Sequence, residues 1–368
     1  MTAMTIPRRA ILLAAMASLV VGALAGLGRL GLSTPLGWSE AFESRAMVNH
    51  GAVMVSGFLG TLIALERAVG LGWRPAYLAP ACSALGTLLL LAGAPDLVGG
   101  GLMALGALGL AAIYLSLVRR PTAHFLLVMA LGAVMWLVGN ALFAADRPVF
   151  ESAPWWGAFL VLTIAGERLE LRRIARPSTT VLAAFYVCAA VLVAGAVVSV
   201  DAYGTGIRLY GAGLIALALW LARYDTAWRV ARSPGLPRYM AAGLLAGYVW
   251  LVIGGVAAAR AGAVYGGTEY DTILHAVFLG FAISMVFAHG PVIFPAVTGI
   301  NLAFTRAFYA PLLLLHVSVA VRIAGNLQRD ATVREWGGLL NAAALAAFIV
   351  TVLGSAVLAR RRGSRRTR

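Results

Sequence analysis

Twelve long apolar stretches follow one another along this chain, separated only by short polar breaks. In hydrocarbon, every backbone N–H and C=O must find a partner inside the protein, so only helices and closed barrels cross a bilayer. The stretches fall at roughly 10–30, 46–68, 76–95, 98–118, 122–144, 154–171, 179–200, 206–223, 239–259, 270–294, 307–327 and 336–358. Most approach the ~20 residues that a helix needs to cross ~30 Å of acyl chain. They are too long for barrel strands and show no period-two alternation. With 61% hydrophobic and 12% charged residues, the composition is that of a polytopic membrane protein, not of a soluble core. The expected fold class is therefore all-α: a single transmembrane domain over residues 1–368 with no soluble domain between spans.

Arginine sets the expected orientation. All 29 basic residues are Arg. With the N-terminus in the cytoplasm, 21 of them fall on the inner side, including Arg8, Arg9, Arg67, Arg74, Arg119, Arg120, the run Arg168 to Arg176 and the set Arg223 to Arg238; the other 8 fall outside. The positive-inside rule then places both termini in the cytoplasm. The basic tail at 359–368 reads as a topology anchor that touches anionic lipid. Arginines spread over many short loops do not describe a nucleic-acid surface. The N-terminal segment also has the look of a signal peptide, but its apolar stretch is long enough to span and is expected to stay as the first helix.

Ionisable groups inside a bilayer are rare and usually functional, so the five histidines frame the chemistry. His275 and His289 share one span. Fourteen helical residues rise about 21 Å, and the two side chains point within about 40° of each other. One imidazole thus stands near each membrane surface, too far from the other to share a metal. By depth, His50 pairs with His275 near the outer surface, and His124 with His289 near the inner one. His316 falls near the middle of the eleventh span. Bis-imidazole ligation of a b-type haem needs one His from each of two facing helices. The plain alternative is that each His hydrogen-bonds a neighbouring helix. The absence of C-x-x-C-H excludes covalently attached c-type haem.

Other residues cluster around these. Met54, one turn from His50, is either a soft copper ligand or packing. Gly51, Gly57 and Gly60 allow close approach, and His50, Met54, Gly57 and Thr61 line one stripe of the second span, which could face either a flat macrocycle or a neighbouring helix. Arg322 is placed to pair with a haem propionate or to snorkel to the interface. Asn49 and Asn140 could each orient an imidazole. Glu269 and Asp271 read as a solvated outer loop. Glu66-Arg67 and Glu167-Arg168 read as helix-end ion pairs. Pro291 and Pro295 should end or kink the tenth span, and Pro311 should bend the eleventh. Trp38, Trp73, Trp155 and Trp156 fit interfacial belts.

The segment His50-Gly-Ala-Val-Met54 resembles the helix II signature H-G-x-x-M of haem-copper oxidase subunit I. The resemblance implies a twelve-helix bundle in which His50, with a partner near the outer end of helix X (here His275), ligates a low-spin haem. The oxidase metal centre needs further histidines from helices VI and VII, and this chain has none in spans six or seven. Oxygen reduction by that mechanism is therefore excluded. His50 followed by Gly57-Phe58, with His275-Ala276 and His289-Gly290, also resembles the NnrS family of twelve-span, haem- and copper-associated membrane proteins linked to the nitric oxide response. That resemblance implies a multi-pass inner-membrane protein with one or two haem b groups and copper as a further cofactor. The sites would be drawn from His50, His124, His275, His289, His316, Met54 and Arg322.

Two haems would carry electrons across the bilayer, for example between a quinol and a periplasmic redox protein. One haem would suit sensing or nitric oxide handling. A secondary transporter and a non-catalytic assembly protein are the alternatives, although no inverted repeat or pair of broken helices supports transport. Whether the chain is an enzyme, and in what oligomeric state it works, the residues leave open.

Overall fold

An apolar segment in lipid can satisfy its own backbone only by winding into a helix, and this chain does so throughout. The computed structural model describes residues 6–32, 37–118, 124–172 and 178–366. Among them no strand occurs, and twelve helices are long and apolar enough to cross a membrane. They are α1 (Arg8–Gly28), α2 (His50–Leu71), α3 (Arg74–Ala92), α4 (Asp96–Leu117), α5 (Phe125–Ala144), α6 (Val149–Leu171), α7 (Thr179–Val198), α8 (Tyr203–Tyr224), α9 (Leu236–Ala261), α10 (Gly267–Thr298), α11 (Arg306–Gln328) and α12 (Ala331–Arg362). The span count and most boundaries match the hydropathy expectation, because length and apolarity are local properties. Arg119, Arg120, Arg173 and Arg176, which contributed to the expected orientation, lie outside the described residues.

The chain divides into two compact units, Met4–Arg173 with Ala196–Ala202, and Ile174–Gly195 with Tyr203–Arg368. The first holds α1–α6, and the second holds nearly all of α7–α12. Within the first, α3 packs on α4, α4 on α5 and α5 on α6; within the second, α8 packs on α9, α9 on α10 and α11 on α12. Small residues let these helices approach closely. A Cβ on Gly106 of α4 would stand 2.8 Å from the Ala79 carbonyl oxygen of α3, and a Cβ on Gly211 of α8 would stand 2.5 Å from the Gly255 carbonyl oxygen of α9. Lipid tails are as apolar as leucine, so this close backbone packing supplies the association that hydrophobicity cannot.

Two spans depart from α geometry. In α2 the residues Val53–Gly60 wind as a π-helix, and in α10 the residues Ala276–Ile283 do the same. π-Helices are rare and concentrate at functional sites. In α2 the wider turn is supported by hydroxyls. The Ser56 carbonyl accepts from Ser83 Oγ at 2.8 Å and from Thr61 Oγ1 at 3.0 Å. Each π-segment begins just after a histidine, His50 three residues before Val53 and His275 immediately before Ala276.

Pro291 and Pro295 do not end the tenth span. α10 runs through Pro291 and Pro295 and ends only at Gly299, which is left-handed at φ 73°. A proline removes the bond to the carbonyl four residues back, here that of Phe287. Tyr239 of α9 donates its hydroxyl to that oxygen at 2.9 Å, which explains how the helix continues. Pro311 sits in the first turn of the α-helical stretch Tyr309–Gln328, where its missing N–H had no intrahelical partner to lose. It belongs to the start of the helix, not to a bend before His316.

Candidate functional site

The four histidines whose side chains are described are held in two chemically distinct ways. His50 opens α2, and its ring lies against α1. Its Nδ1 stands 2.8 Å from the Gly22 carbonyl oxygen, and a Cβ on Gly26 would meet Cε1 of the ring at 3.0 Å. The spacing Gly22-x-x-x-Gly26 therefore makes the groove that seats the imidazole. Met54 packs its sulfur against Gly22 in the same groove, so its observed role is packing. The small-xxx-small pair on α1 was the signal available in the sequence for this groove; attention to the glycines of α2 missed it. Those glycines admit protein neighbours: Gly51 faces Trp156, Gly57 faces Thr87, and Gly60 faces Trp136.

His275 and His289 follow one rule. Nδ1 of His275 is 2.9 Å from the Asp271 carbonyl oxygen, and Nδ1 of His289 is 2.9 Å from the Met285 carbonyl oxygen. A carbonyl oxygen only accepts, so in His50, His275 and His289 alike Nδ1 carries the proton. In the neutral ring Nε2 then bears the lone pair. Anchored through Nδ1–H to a backbone carbonyl, this tautomer presents Nε2, one of the two ring nitrogens through which a neutral imidazole ligates a metal. In donor chemistry these three residues fit a haem iron.

His316 is of the opposite kind. Trp250 Nε1 donates to its Nδ1 at 2.9 Å, so the proton sits on Nε2, which lies 3.4 Å from Ser284 Oγ. Ser284 in turn donates to the Gly243 carbonyl at 2.8 Å. Both nitrogens of His316 are thus engaged within the protein, and its lone pair faces an indole N–H. The Trp250 indole reaches this position by passing over Gly280, whose missing side chain leaves the room.

Arg322 also differs from expectation. It is 7% exposed and forms a bidentate pair with Asp271, Nε to Oδ2 at 2.9 Å and Nη2 to Oδ1 at 2.7 Å. Asn326, one turn along α11, donates to Asp271 Oδ2 at 2.7 Å and to Thr272 Oγ1 at 3.1 Å. Asp271 and Glu269 are not loop residues: the helix begins at Gly267. Asp271 Oδ1 also stands 3.2 Å from Nδ1 of His275.

In the first unit, Asn140 accepts from Ser56 Oγ at 2.8 Å and from Trp156 Nε1 at 3.0 Å, while Trp136 donates to Ser56 Oγ at 2.9 Å. Asn140 thus ties α5 to the π-segment of α2. Asn49 donates to the Arg45 carbonyl at 3.0 Å and likewise serves the backbone. Trp155 and Trp156 are buried, unlike belt residues, whereas Trp73 is exposed. Arg67 pairs with Glu167 and lies 5.7 Å from the centre of the buried Tyr114 ring, so the helix-end ion pair is also a tie between α2 and α6. His124 begins the helix His124–Ala144, and its side chain lies outside the described ones. Among the described residues no group of three or more His, Cys, Asp or Glu is placed to hold a metal ion. Bis-imidazole ligation of an iron uses two.

Twelve membrane-length helices, without a strand among the described residues, define an all-α polytopic membrane protein. The chain belongs to the family described as Domain of unknown function (DUF8744), whose model matches residues 8–357. No curated protein matches the chain.

Proposed function

We propose that this chain is a membrane haem b protein that acts in electron transfer or in the nitric oxide response. Depth in the sequence picks out His50 and His275, and then His289 and His124, as the residues that would hold haem. The carrying observation is the shared tautomer. Three histidines commit Nδ1–H to backbone carbonyls and so place the lone pair on Nε2, whereas His316 does the reverse. The π-segments that follow His50 and His275 also support the reading, since such turns are seldom kept without function.

Bound haem would supply a one-electron iron couple. The chain's own contribution is to hold each imidazole by its Nδ1–H in one rotation and one protonation state. Ligation by two histidines would leave the iron no open position, which suits electron transfer better than substrate turnover. A quinol and a periplasmic redox protein are the partners this reading implies, in the inner membrane. Copper enters through the NnrS resemblance and the soft sulfur of Met54 beside His50.

The test is the dithionite-reduced minus oxidised spectrum of detergent-purified protein, with haem stoichiometry from the pyridine haemochrome. Sharp b-type bands that are lost in His50→Ala and in His275→Ala are expected. Two haems per chain would favour transmembrane electron transfer, and one would favour sensing. Absence of haem after expression with ample haem supply would sink the reading and leave transport as the next function to assay.

A further inference from the structure

His275 and His289 offer an internal comparison. Both lie on α10, and both donate Nδ1–H to the carbonyl four residues back at 2.9 Å. The backbone arrangement is the same, but the side chain at that fourth position is not. Residue 285 is Met, whereas residue 271 is Asp, with Oδ1 3.2 Å from Nδ1 of His275. We propose that Asp271 is a positioning residue for His275: a carboxylate held on Nδ1–H that makes this imidazole a stronger electron donor through Nε2, with Arg322 setting how much of that charge the ring feels. The proposal rests on the haem reading above.

The carboxylate is held from the neighbouring helix. Arg322 grips both of its oxygens, and Asn326, one turn on along the same face of α11, donates to Oδ2. Asn326 also donates to Thr272 Oγ1, which fixes the first turns of α10 against α11. Arg322 is buried, so its charge and that of Asp271 act on each other and on the ring with little screening by solvent. A carboxylate on the distal nitrogen of a ligating histidine fixes the ring's rotation and raises its basicity. A more basic ligand favours the ferric over the ferrous ion, and the guanidinium partly offsets this. His289 has a Met at the same position.

The two substitutions therefore have opposite signs. Asp271→Asn removes the negative charge and should raise the reduction potential of the haem assigned to His275. Arg322→Gln leaves the carboxylate uncompensated and should lower it. A change of about tenfold in the ferric-to-ferrous affinity ratio is expected for each, ~59 mV for a one-electron couple. A role confined to tying α10 to α11 would instead move both variants the same way or leave both unchanged. Arg322→Lys, which keeps the charge, should stay near the parent.

The measurement is a potentiometric titration of the full chain in detergent. In parallel, ¹⁵N NMR of histidine-labelled protein would be recorded, with the His275 signal assigned by its loss in His275→Gln. The Nδ1 resonance should move in Asp271→Asn and should show the Nδ1-protonated ring in the parent. Potentials moving together, or an Nδ1 resonance indifferent to Asp271→Asn, would overturn the proposal. Should the parent bind no haem, the haem reading fails, and the ¹⁵N result alone decides whether Asp271 acts on His275.

Discussion

Trp250 donates its indole N–H to Nδ1 of His316 at 2.9 Å, a bond that joins α9 to α11 and occupies the lone pair a metal would need. His316→Leu should therefore leave the haem content of the protein unchanged. The buried indole donor loses its partner, at a cost of about 1–3 kcal/mol. Thermal unfolding in detergent and haemochrome stoichiometry would show a lower midpoint with undiminished haem. Loss of haem from a folded His316→Leu protein would make His316 a ligand after all.

Tyr239 replaces the bond that Pro291 denies to the Phe287 carbonyl. Tyr239→Phe should destabilise the protein by about 1–3 kcal/mol, since the carbonyl is then left unmet in an apolar setting. Pro291→Ala restores an N–H at the right position. In the Tyr239→Phe background that second change should recover part of the loss. Equal losses with and without Pro291→Ala would show that the hydroxyl serves some other contact.

Gly26 is the floor beneath the His50 ring. Gly26→Leu should displace the imidazole and abolish the part of the haem spectrum that depends on His50. Val20→Leu, on an exposed position of the same helix, should change nothing. Haem binding that survives Gly26→Leu would separate His50 from the cofactor.

Asn140 accepts two hydrogen bonds in a fully buried setting. Asn140→Leu strands the Trp156 indole N–H and breaks the tie to the π-segment, with an expected cost upward of ~2 kcal/mol. Trp73→Phe, at an exposed indole, should lie within about 0.5 kcal/mol of the parent. Similar midpoints for the two variants would mean that the Ser56–Asn140–Trp156 network contributes little.

Much of the fold was legible because it is written locally. The twelve spans, their boundaries and the all-α class follow from runs of apolar residues, and each helix satisfies its own backbone. The candidate histidines were legible as polar residues in apolar segments. Their chemical states were not: His275 and His316 look alike as isolated letters, yet one protonates Nδ1 and the other Nε2. That difference lies in what faces each ring, a carbonyl of its own helix or the indole of another.

The sequence by itself determined how many times this chain crosses the membrane and which polar residues go with it. Tertiary structure alone decided that Gly22 and Gly26 seat His50, that Arg322 grips Asp271, that Tyr239 rescues the carbonyl behind Pro291, and that two spans wind as π-helices after a histidine. The physical reason is range. Hydropathy and helix propensity act over a few turns, whereas the partner of a buried polar group is set by which helix packs alongside and by how each is rotated about its axis.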